Sequence, residues 1–154
     1  MLEAMKSSNK KVVDIKYAKS NEYKRVIKTI ADNEKCPFCK ENFKYHKNPI
    51  LKTHKSWFIT ENSWPYKNTK HHFIIICEDH KEKLEDLTAS DFSSTHELMK
   101  WAIKKYNLKG GGLTLRFGET TWTGATVCHL HFHLIIPEID QNTKRAKTVQ
   151  FPIG

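Results

Sequence analysis

A chain of 154 residues can bury one sizeable core but is short for two, so we expect one domain, residues 21–154, after a basic leader, residues 1–20. Its 26 basic and 17 acidic residues give a formal charge of +9, which favours phosphorylated or polyanionic partners but fits a solvated basic surface equally well. No apolar run approaches the roughly 20 residues of a membrane span, and residues 1–11 lack the apolar block of a signal peptide. We therefore expect a cytoplasmic protein with no membrane partner.

The first predicted elements are a short helix and three strands. Asn21 is a candidate N-cap, and apolar residues follow it at helical spacing as far as Ile30. After the "CPFC" segment (36–39), the stretches "PILKT" and "SWFITE" have the composition of short strands. The run from His72 to Cys77 is continuously apolar, which is typical of a strand buried on both faces.

The second half begins with the longest predicted helix, between a capping signal at Thr88–Asp91 and a glycine run at Lys109–Gly112. Its predicted buried stripe is Phe92, Met99, Ala102, Ile103 and Tyr106. The stretch "LTLRF" is a predicted strand, "GETTWTGAT" a polar loop and "VCHLHFHLII" a last long strand before Pro137. This order of helices and strands indicates an α+β fold.

The segment "HLHFHLII" (129–136) carries a histidine at every second position. In a strand, His129, His131 and His133 would share one face, and the apolar residues between them would share the other. Buried neutral imidazoles each need hydrogen-bond partners and charged imidazoles repel one another, so a purely structural role is unfavourable. Such a row is better suited to binding a metal ion, a phosphate group or both.

This segment resembles the signature of the histidine triad (HIT) superfamily, in which three histidines alternate with apolar residues. The segment "KHHFIIICEDH" (70–80) resembles the central strand of that family. The segment "TGATVCHLHFH" (123–133) is similar to its glycine-and-hydroxyl turn, and "NSWP" (62–65) to its ribose-contact segment. The resemblance implies an α+β histidine triad fold: an antiparallel sheet of about five strands packed with one long helix and a short N-terminal helix.

The resemblance also implies a reaction, because members of the superfamily hydrolyse or transfer nucleotidyl groups at an α-phosphate. A neutral imidazole can attack phosphorus near neutral pH, and the resemblance gives this role to His131. It makes His133 a donor to a non-bridging phosphate oxygen, and Thr126 and His72 complete the predicted catalytic set. For His72, a solvated or core-edge position is the alternative. The intermediate would be a nucleotidyl-histidine, broken by water or by another acceptor.

The predicted substrate-binding residues are Asn62, Gly124 and Arg116, and an outward-facing strand position is the alternative for Arg116. Familiar branches of the family carry amide side chains where this chain has Gly118 and Ala125. The small residue at position 125 resembles the diadenosine tetraphosphate phosphorylase-like branch, in which phosphate can replace water as acceptor.

We therefore expect cleavage of a dinucleoside polyphosphate or a nucleoside phosphoramidate. The alternative is a zinc-stabilised nucleotide-binding regulatory module with little turnover. Members that act on adenylated nucleic-acid ends generally add a zinc-finger segment after the triad, so we do not expect a nucleic-acid partner. By resemblance, we expect a homodimer formed through the long helix and an adjoining strand.

The pair in "CPFC" is ambiguous alone, because it fits a redox pair, part of a zinc site or a coincidence. A closed structural zinc site needs four ligands. Zinc-binding bacterial members of the superfamily, and the related galactose-1-phosphate uridylyltransferases, combine such a pair with two histidines. The resemblance therefore implies a structural zinc ion held by Cys36, Cys39, His80 and His129.

Overall fold

The computed structural model describes residues 11–33 and 35–154. The helices are α1 (Asn21–Asn33), α2 (Ala89–Tyr106) and the one-turn α3 (Thr120–Thr123), and the strands are β1 (Ile50–His54), β2 (Trp57–Glu61), β3 (Thr69–Cys77), β4 (Gly112–Leu115) and β5 (His131–Pro137). Short 3-10 turns occupy Ile15–Tyr17, Lys40–Tyr45 and Leu84–Asp86. No helix in the described ranges is long and apolar enough to cross a membrane.

The five strands form one antiparallel sheet in the order β1-β2-β3-β5-β4. This confirms the predicted α+β fold with its five-stranded sheet, its long helix and its short N-terminal helix. The central strands β3 and β5 pair so that Ile76 lies opposite His131 and Ile74 lies opposite His133. His133 therefore lies between β3 and β4, with Thr114 opposite it on β4, whereas His131 at the start of β5 is paired with β3.

The sheet buries both faces, which explains the continuous apolar run in β3. On one face, side chains from β2, β3 and β5 pack beneath α2, around Leu98 and Ala102. On the other face, Ile74 and Ile76 pack against α1 and the segment that precedes it. Because successive residues of a strand point to opposite faces, every position from Phe73 to Cys77 is at most 1% exposed.

The second half of the predicted leader packs against the domain. Val12, Val13 and Ala18 are buried in the same cluster as α1, and Val13 forms an isolated antiparallel bridge with Val127. The boundary at residue 20 remains a prediction, and residues 1–10 lie outside the described residues.

Helix α2 begins at the predicted capping signal. Thr88 is the N-cap, and its hydroxyl accepts a hydrogen bond from the Asp91 amide, while the Asp91 carboxylate accepts from the Thr88 amide. The helix ends at Tyr106, before the glycine run, because Asn107 adopts the left-handed conformation and terminates it.

The predicted buried stripe of α2 is wrong at two positions, because Phe92 and Ile103 are each 48% exposed. The face that packs on the sheet instead carries Ser94, Thr95, Leu98 and Ala102. The two hydroxyls are buried at little cost, since each donates to a carbonyl of its own helix: Ser94 to Ser90 and Thr95 to Phe92.

Candidate active site and metal centre

The histidine segment does not form one continuous strand as predicted. Strand β5 begins at His131, so His129 lies before it. The backbone there pairs with other segments: the Leu130 amide donates to the Lys81 carbonyl at 2.7 Å, and the Cys128 amide donates to the Val12 carbonyl at 2.9 Å. This break separates the first histidine from the other two.

The structure brings together the four predicted metal ligands. One ligand atom from each of Cys36, Cys39, His80 and His129 lies within 4.8 Å of all the others. Nδ1 of His129 is 3.3 Å from Sγ of Cys36, and Nδ1 of His80 is 3.5 Å from Sγ of Cys39. Two cysteine sulfurs and two imidazoles at this spacing match the tetrahedral donor set that zinc prefers.

The second nitrogen of each histidine in this cluster is held by an oxygen atom. Nε2 of His129 donates to the Cys77 carbonyl at 2.8 Å, and Nε2 of His80 donates to the Glu82 carboxylate at 2.7 Å. Both protons are thus placed on Nε2, and both Nδ1 lone pairs face the sulfur atoms, as in zinc sites where outer oxygen atoms orient the histidine ligands.

The ionisation of the cluster also fits a cation. Burial lowers the pKa of His129 to about 3, which keeps its ring neutral and able to coordinate. Burial raises the pKa of the Cys36 thiol to about 12, so without a metal ion this thiol is protonated near neutral pH and would lose its proton on binding one. The cluster therefore fits zinc, with four protein ligands and no position left for a substrate.

The other two histidines of the segment face a different region of the structure. His131 and His133 lie on the same face of β5, with ring centroids 4.7 Å apart. Nδ1 of His131 donates to the His129 carbonyl at 2.7 Å, which leaves the lone pair on Nε2. Within the described part of the chain, no hydrogen bond reaches that Nε2.

A chain of hydrogen bonds determines which nitrogen of His133 carries the proton. The Tyr66 amide donates to Nδ1 of His72 at 3.1 Å, so the proton of the neutral His72 ring is on Nε2. That Nε2 is 2.8 Å from Nδ1 of His133, which must accept, and the proton of His133 is therefore on its own Nε2. This N–H is buried and has no partner among the described residues.

Both members of this histidine pair are uncharged near neutral pH. Burial lowers the pKa of His72 to about 3 and that of His133 well below its usual value, and nearby positive charges act in the same direction. His72 is only 3% exposed and is not among the residues that line the cleft, which excludes the solvated alternative and agrees with the core-edge one. It lies behind His133, where it orients that ring.

His131 and His133 open into a cleft of about 990 Å³. Four other predicted site residues line it: Asn62, Arg116, Gly124 and Thr126. Thr126 is half-buried there, with its hydroxyl 3.4 Å from the Tyr17 carbonyl. Arg116 is not an outward-facing strand residue, because it follows β4 and its side chain contacts the cleft wall.

Gly118 and Ala125 stand where familiar branches of the family carry amide side chains, and the structure differs at the two positions. Gly118 has a φ of 85°, which strains any residue with a side chain, so an amide side chain does not suit this backbone. Ala125 is buried in the cleft wall, where its methyl group leaves more room than a glutamine.

Several cleft residues were not predicted from the sequence. Tyr66 supplies the amide that fixes His72, and its ring is stacked at 5.8 Å on His133. Phe38, between the two cysteines, meets the His131 ring edge-on at 4.8 Å. Tyr23 and Trp64, with ring centroids 4.5 Å apart, form an aromatic wall of the cleft. The aromatic content of "NSWPYK" was visible in the sequence, but a backbone donor leaves no sequence signal.

The antiparallel sheet and the inward-facing histidines define a histidine triad protein, and the chain belongs to this superfamily. More narrowly, residues 35–148 match the family described as "scavenger mRNA decapping enzyme C-term binding", and the chain belongs to that family. A comparison with curated protein sequences gives no match.

Solved structures show the same fold at low sequence identity. A histidine triad nucleotide-binding protein from Candida albicans is 21% identical, with a TM-score of 0.57 over 78% of this chain and 85% of that chain. A HIT family hydrolase from Clostridium thermocellum is 24% identical, with a TM-score of 0.52 over 71% and 95%. A zinc-bound histidine triad family protein from Mycobacterium smegmatis is 16% identical, with a TM-score of 0.52 over 71% and 79%.

Proposed function

We propose that this protein is a nucleotidyl hydrolase or transferase that cleaves at the α-phosphate of a dinucleoside polyphosphate or a nucleoside phosphoramidate. One observation carries the proposal: His131, with a lone pair on Nε2, and His133, with a buried Nε2–H that has no partner among the described residues, line one cleft. A nucleophile beside an unsatisfied donor is the arrangement that attack on a phosphate needs.

In the first step, Nε2 of His131 attacks the α-phosphorus. A bond from nitrogen to phosphorus forms, and the bond from phosphorus to the leaving group breaks. The electron pair of the broken bond goes to the leaving group, which departs as a phosphate or, after protonation, as an amine. In the second step, the oxygen of water bonds to the same phosphorus and the nitrogen–phosphorus bond breaks. Its electron pair returns to Nε2 of His131, the water loses a proton to solvent, and a nucleoside monophosphate leaves. Inorganic phosphate in place of water yields a nucleoside diphosphate.

Charge on the phosphate oxygens is stabilised by donors that are in place before the reaction. The Nε2–H of His133 donates to a non-bridging oxygen, and His72 keeps this proton on the correct nitrogen. The Gly124 amide donates to the Thr120 carbonyl and the Ala125 amide to the Thr123 hydroxyl, so the proposed further donor of this turn is the Thr126 hydroxyl, whose contact with the Tyr17 carbonyl is long at 3.4 Å. Gly124 has a φ of 65° and its position is crowded by the Gly154 carbonyl, so a side chain at Gly124 is not tolerated.

The aromatic wall of the cleft is the proposed nucleoside site. Tyr23, Phe38 and Trp64 offer ring surfaces for a base, since stacking on aromatic side chains tolerates any base. Asn62 lies beside them as the proposed ribose contact. Its side-chain oxygen accepts from the Trp64 amide at 3.0 Å, which fixes the orientation of the amide group.

Zinc at the cysteine and histidine cluster is proposed to be structural. Bound zinc would fix the loop that carries Cys36, Cys39 and Phe38, and Phe38 packs on the His131 ring. It would also fix His129, whose carbonyl holds Nδ1 of His131. The metal centre thus positions the nucleophile through the protein.

The family description supports the polyphosphate part of the proposal. It names a scavenger mRNA decapping enzyme, and an mRNA cap is two nucleosides joined by a 5′–5′ triphosphate, which is itself a dinucleoside polyphosphate. A cap dinucleotide therefore belongs in the substrate panel beside diadenosine polyphosphates and an adenosine phosphoramidate.

The proposed homodimer has a candidate surface. Phe92 and Ile103 on α2 and Leu113 on the edge strand β4 are each about half exposed. An edge strand presents unpaired backbone groups that a second copy can pair with. This surface contains the helix and the strand that the family resemblance assigns to dimer formation.

The test is turnover of this panel by the purified protein, with and without inorganic phosphate. We expect release of a nucleoside monophosphate, and a fall of about 10⁴-fold or more for His131→Ala. The exposed His96, on α2, provides the matched control His96→Ala. Full activity in His131→Ala would contradict the assigned nucleophile. Binding of adenosine monophosphate without turnover of any substrate would support the alternative, a zinc-stabilised nucleotide-binding regulatory module.

A further inference from the structure

Two cationic side chains meet at one residue of the cleft wall. Nζ of Lys19 lies 4.0 Å from the centre of the Tyr66 ring, and Nη2 of Arg116 donates to the Tyr66 hydroxyl at 3.1 Å. The same ring is stacked on His133. The two cations come from segments almost one hundred residues apart in sequence, and both line the cleft beside the proposed phosphate donor.

Arg116 is held rigidly in this position. Its Nε and Nη2 both donate to the Pro152 carbonyl, with the Nε contact at 2.8 Å, and its guanidinium lies 4.0 Å from the centre of the Phe151 ring. Neutral partners therefore orient the guanidinium without cancelling its charge.

Among the described residues, no salt bridge balances the positive charge at this wall. Within residues 11–33 and 35–154, neither Lys19 nor Arg116 forms a salt bridge. Glu22 is the acidic residue among those lining the cleft, and it is paired with Lys47. Burial, together with the charge of Arg116, lowers the pKa of Lys19, so the two cations oppose each other. A multiply charged anion between them would relieve this repulsion.

We propose that Lys19 and Arg116 bind the phosphate of the leaving group next to the scissile bond, so that the preferred substrates are nucleoside polyphosphates rather than phosphoramidates. This inference rests on the proposed function and narrows its substrate class. With the α-phosphate at His133, the next phosphate reaches the neighbouring Tyr66 wall. An uncharged amine leaving group has no negative charge that these cations could bind. Contacts to this remote phosphate lower the barrier if they strengthen as negative charge develops on the leaving group.

The first test compares two substrates in three variants. The ratio of kcat/KM for a dinucleoside tetraphosphate to kcat/KM for an adenosine phosphoramidate is measured for wild type, Lys19→Gln and Lys16→Gln. Lys16 is the matched control, because it is an exposed lysine of the same segment that lies over the Tyr17 ring instead. We expect the ratio to fall by about tenfold in Lys19→Gln, as for loss of one charge-assisted contact, and to stay at the wild-type value in Lys16→Gln.

Lys19→Arg tests the charge itself. Because arginine keeps the positive charge, we expect the kcat/KM ratio of this variant to stay close to the wild-type value. Arg116→Gln should lower it as well, and by more than Lys19→Gln because the guanidinium is better fixed. An unchanged ratio in Lys19→Gln, or an equal fall in Lys16→Gln, would overturn the proposal.

A binding measurement separates this inference from the proposed function. Inorganic tripolyphosphate is titrated into wild type, Lys19→Gln and Lys16→Gln, and heat or displacement of a fluorescent nucleotide is recorded. We expect affinity to fall by about tenfold only in Lys19→Gln, with a smaller dependence on salt concentration. If no substrate is turned over but this pattern appears, the proposed reaction fails and the anion site stands. If substrates are turned over but tripolyphosphate binds all three proteins equally, the anion site fails alone.

Discussion

The metal centre and the cleft use the two nitrogens of histidine in opposite ways. At the metal centre, His80 and His129 present Nδ1 to the cysteines and bind an oxygen atom through Nε2. In the cleft, His131 and His133 hold a partner through Nδ1, and their Nε2 atoms have no hydrogen-bond partner among the described residues. His129 and His131 are only two residues apart, yet their neutral rings carry the proton on different nitrogens.

The position of the nearest backbone oxygen explains this difference. The Cys77 carbonyl, on the end of β3, takes the proton of His129 at Nε2 and turns Nδ1 toward the cysteines. The His129 carbonyl itself takes the proton of His131 at Nδ1. The place of the acceptor therefore decides whether a histidine presents Nδ1, as the proposed metal ligand His129 does, or Nε2, as the proposed nucleophile His131 does.

The largest effect is expected at the metal centre. Cys36→Ser removes one of the four proposed ligands, so zinc content should fall from about one ion per chain to near zero, with a loss of several kcal/mol of stability because metal binding contributes to folding. Elemental analysis and thermal unfolding measure both quantities. Cys128, outside the cluster, provides the control Cys128→Ser. Full zinc content in Cys36→Ser would show that the metal is bound elsewhere.

The cleft is tested by His133→Ala, which removes the buried donor and leaves the nucleophile. We expect kcat to fall by about 100-fold, since the lost contact is to charge that develops in the transition state. Zinc content should stay at the wild-type value, because His133 lies outside the cluster. A fall in zinc content with unchanged kcat would reverse the roles assigned to the two regions.

Asp91→Asn tests how much the hydrogen bonds beside the metal centre contribute to the stability of the fold. Its carboxylate is 6% exposed and accepts from Trp57 at 2.8 Å and from Lys81 at 2.9 Å, beside the ligand His80. Asp91→Asn should cost about 2 kcal/mol of unfolding free energy, as expected for a buried hydrogen-bonded charge. Chemical denaturation measures this loss, and Asp86→Asn on an exposed turn is the control.

The unfolding free energy that is lost in Asp91→Asn should depend on pH. Burial raises the pKa of Asp91, but hydrogen bonds from Thr88, Trp57 and Lys81 outweigh it and hold the pKa below the usual 3.8. The carboxylate therefore stabilises the fold above pH 3.8, and this contribution disappears as pH falls through the lowered pKa. The difference in unfolding free energy between wild type and Asp91→Asn should therefore become smaller in acid. A gap that widens below pH 3.8 would contradict this assignment.

The smallest effect on monomer stability is expected at the exposed face of α2, away from the metal centre and the cleft. Ile103→Glu, at a half-exposed position of α2, should change the stability of the monomer by only about 0.5 kcal/mol. It should nevertheless shift a homodimer to monomer in analytical ultracentrifugation. The same charge placed at Lys28 on α1, as Lys28→Glu, is the control, and a dimer that survives in Ile103→Glu would exclude this surface.

Patterns within single elements were predictable from the sequence. The continuous apolar run of β3, the capping signal of α2 and the alternation in β5 each reflect neighbours along the chain. The buried face of α2 was not predictable in this way. Apolar Ile103 is exposed, whereas polar Thr95 is buried and its hydroxyl donates to a carbonyl of the same helix. Residue type alone does not reveal such a local bond.

The residues of the site were predictable where they form motifs, and the contacts between motifs were not. The alternating histidines favoured a metal or phosphate site, whereas the "CPFC" pair was ambiguous alone and the family resemblance implied the zinc ligands. The structure places the four implied ligands in one cluster, and His131 and His133 at the cleft. The contacts of Tyr66 with Lys19 and His72 join separate segments through a ring face and a backbone amide. Neither group has a sequence signature, so only the folded chain reveals them.

The location of a trapped covalent intermediate tests the central claim most directly. Wild type is mixed with a dinucleoside polyphosphate, denatured rapidly in alkali and digested for mass spectrometry. We predict one nucleotidyl group on Nε2 of His131, present during turnover and absent in His131→Ala. A nucleotidyl group on His129 or His133, or on Nδ1 of His131, would contradict the division of roles between the two nitrogens.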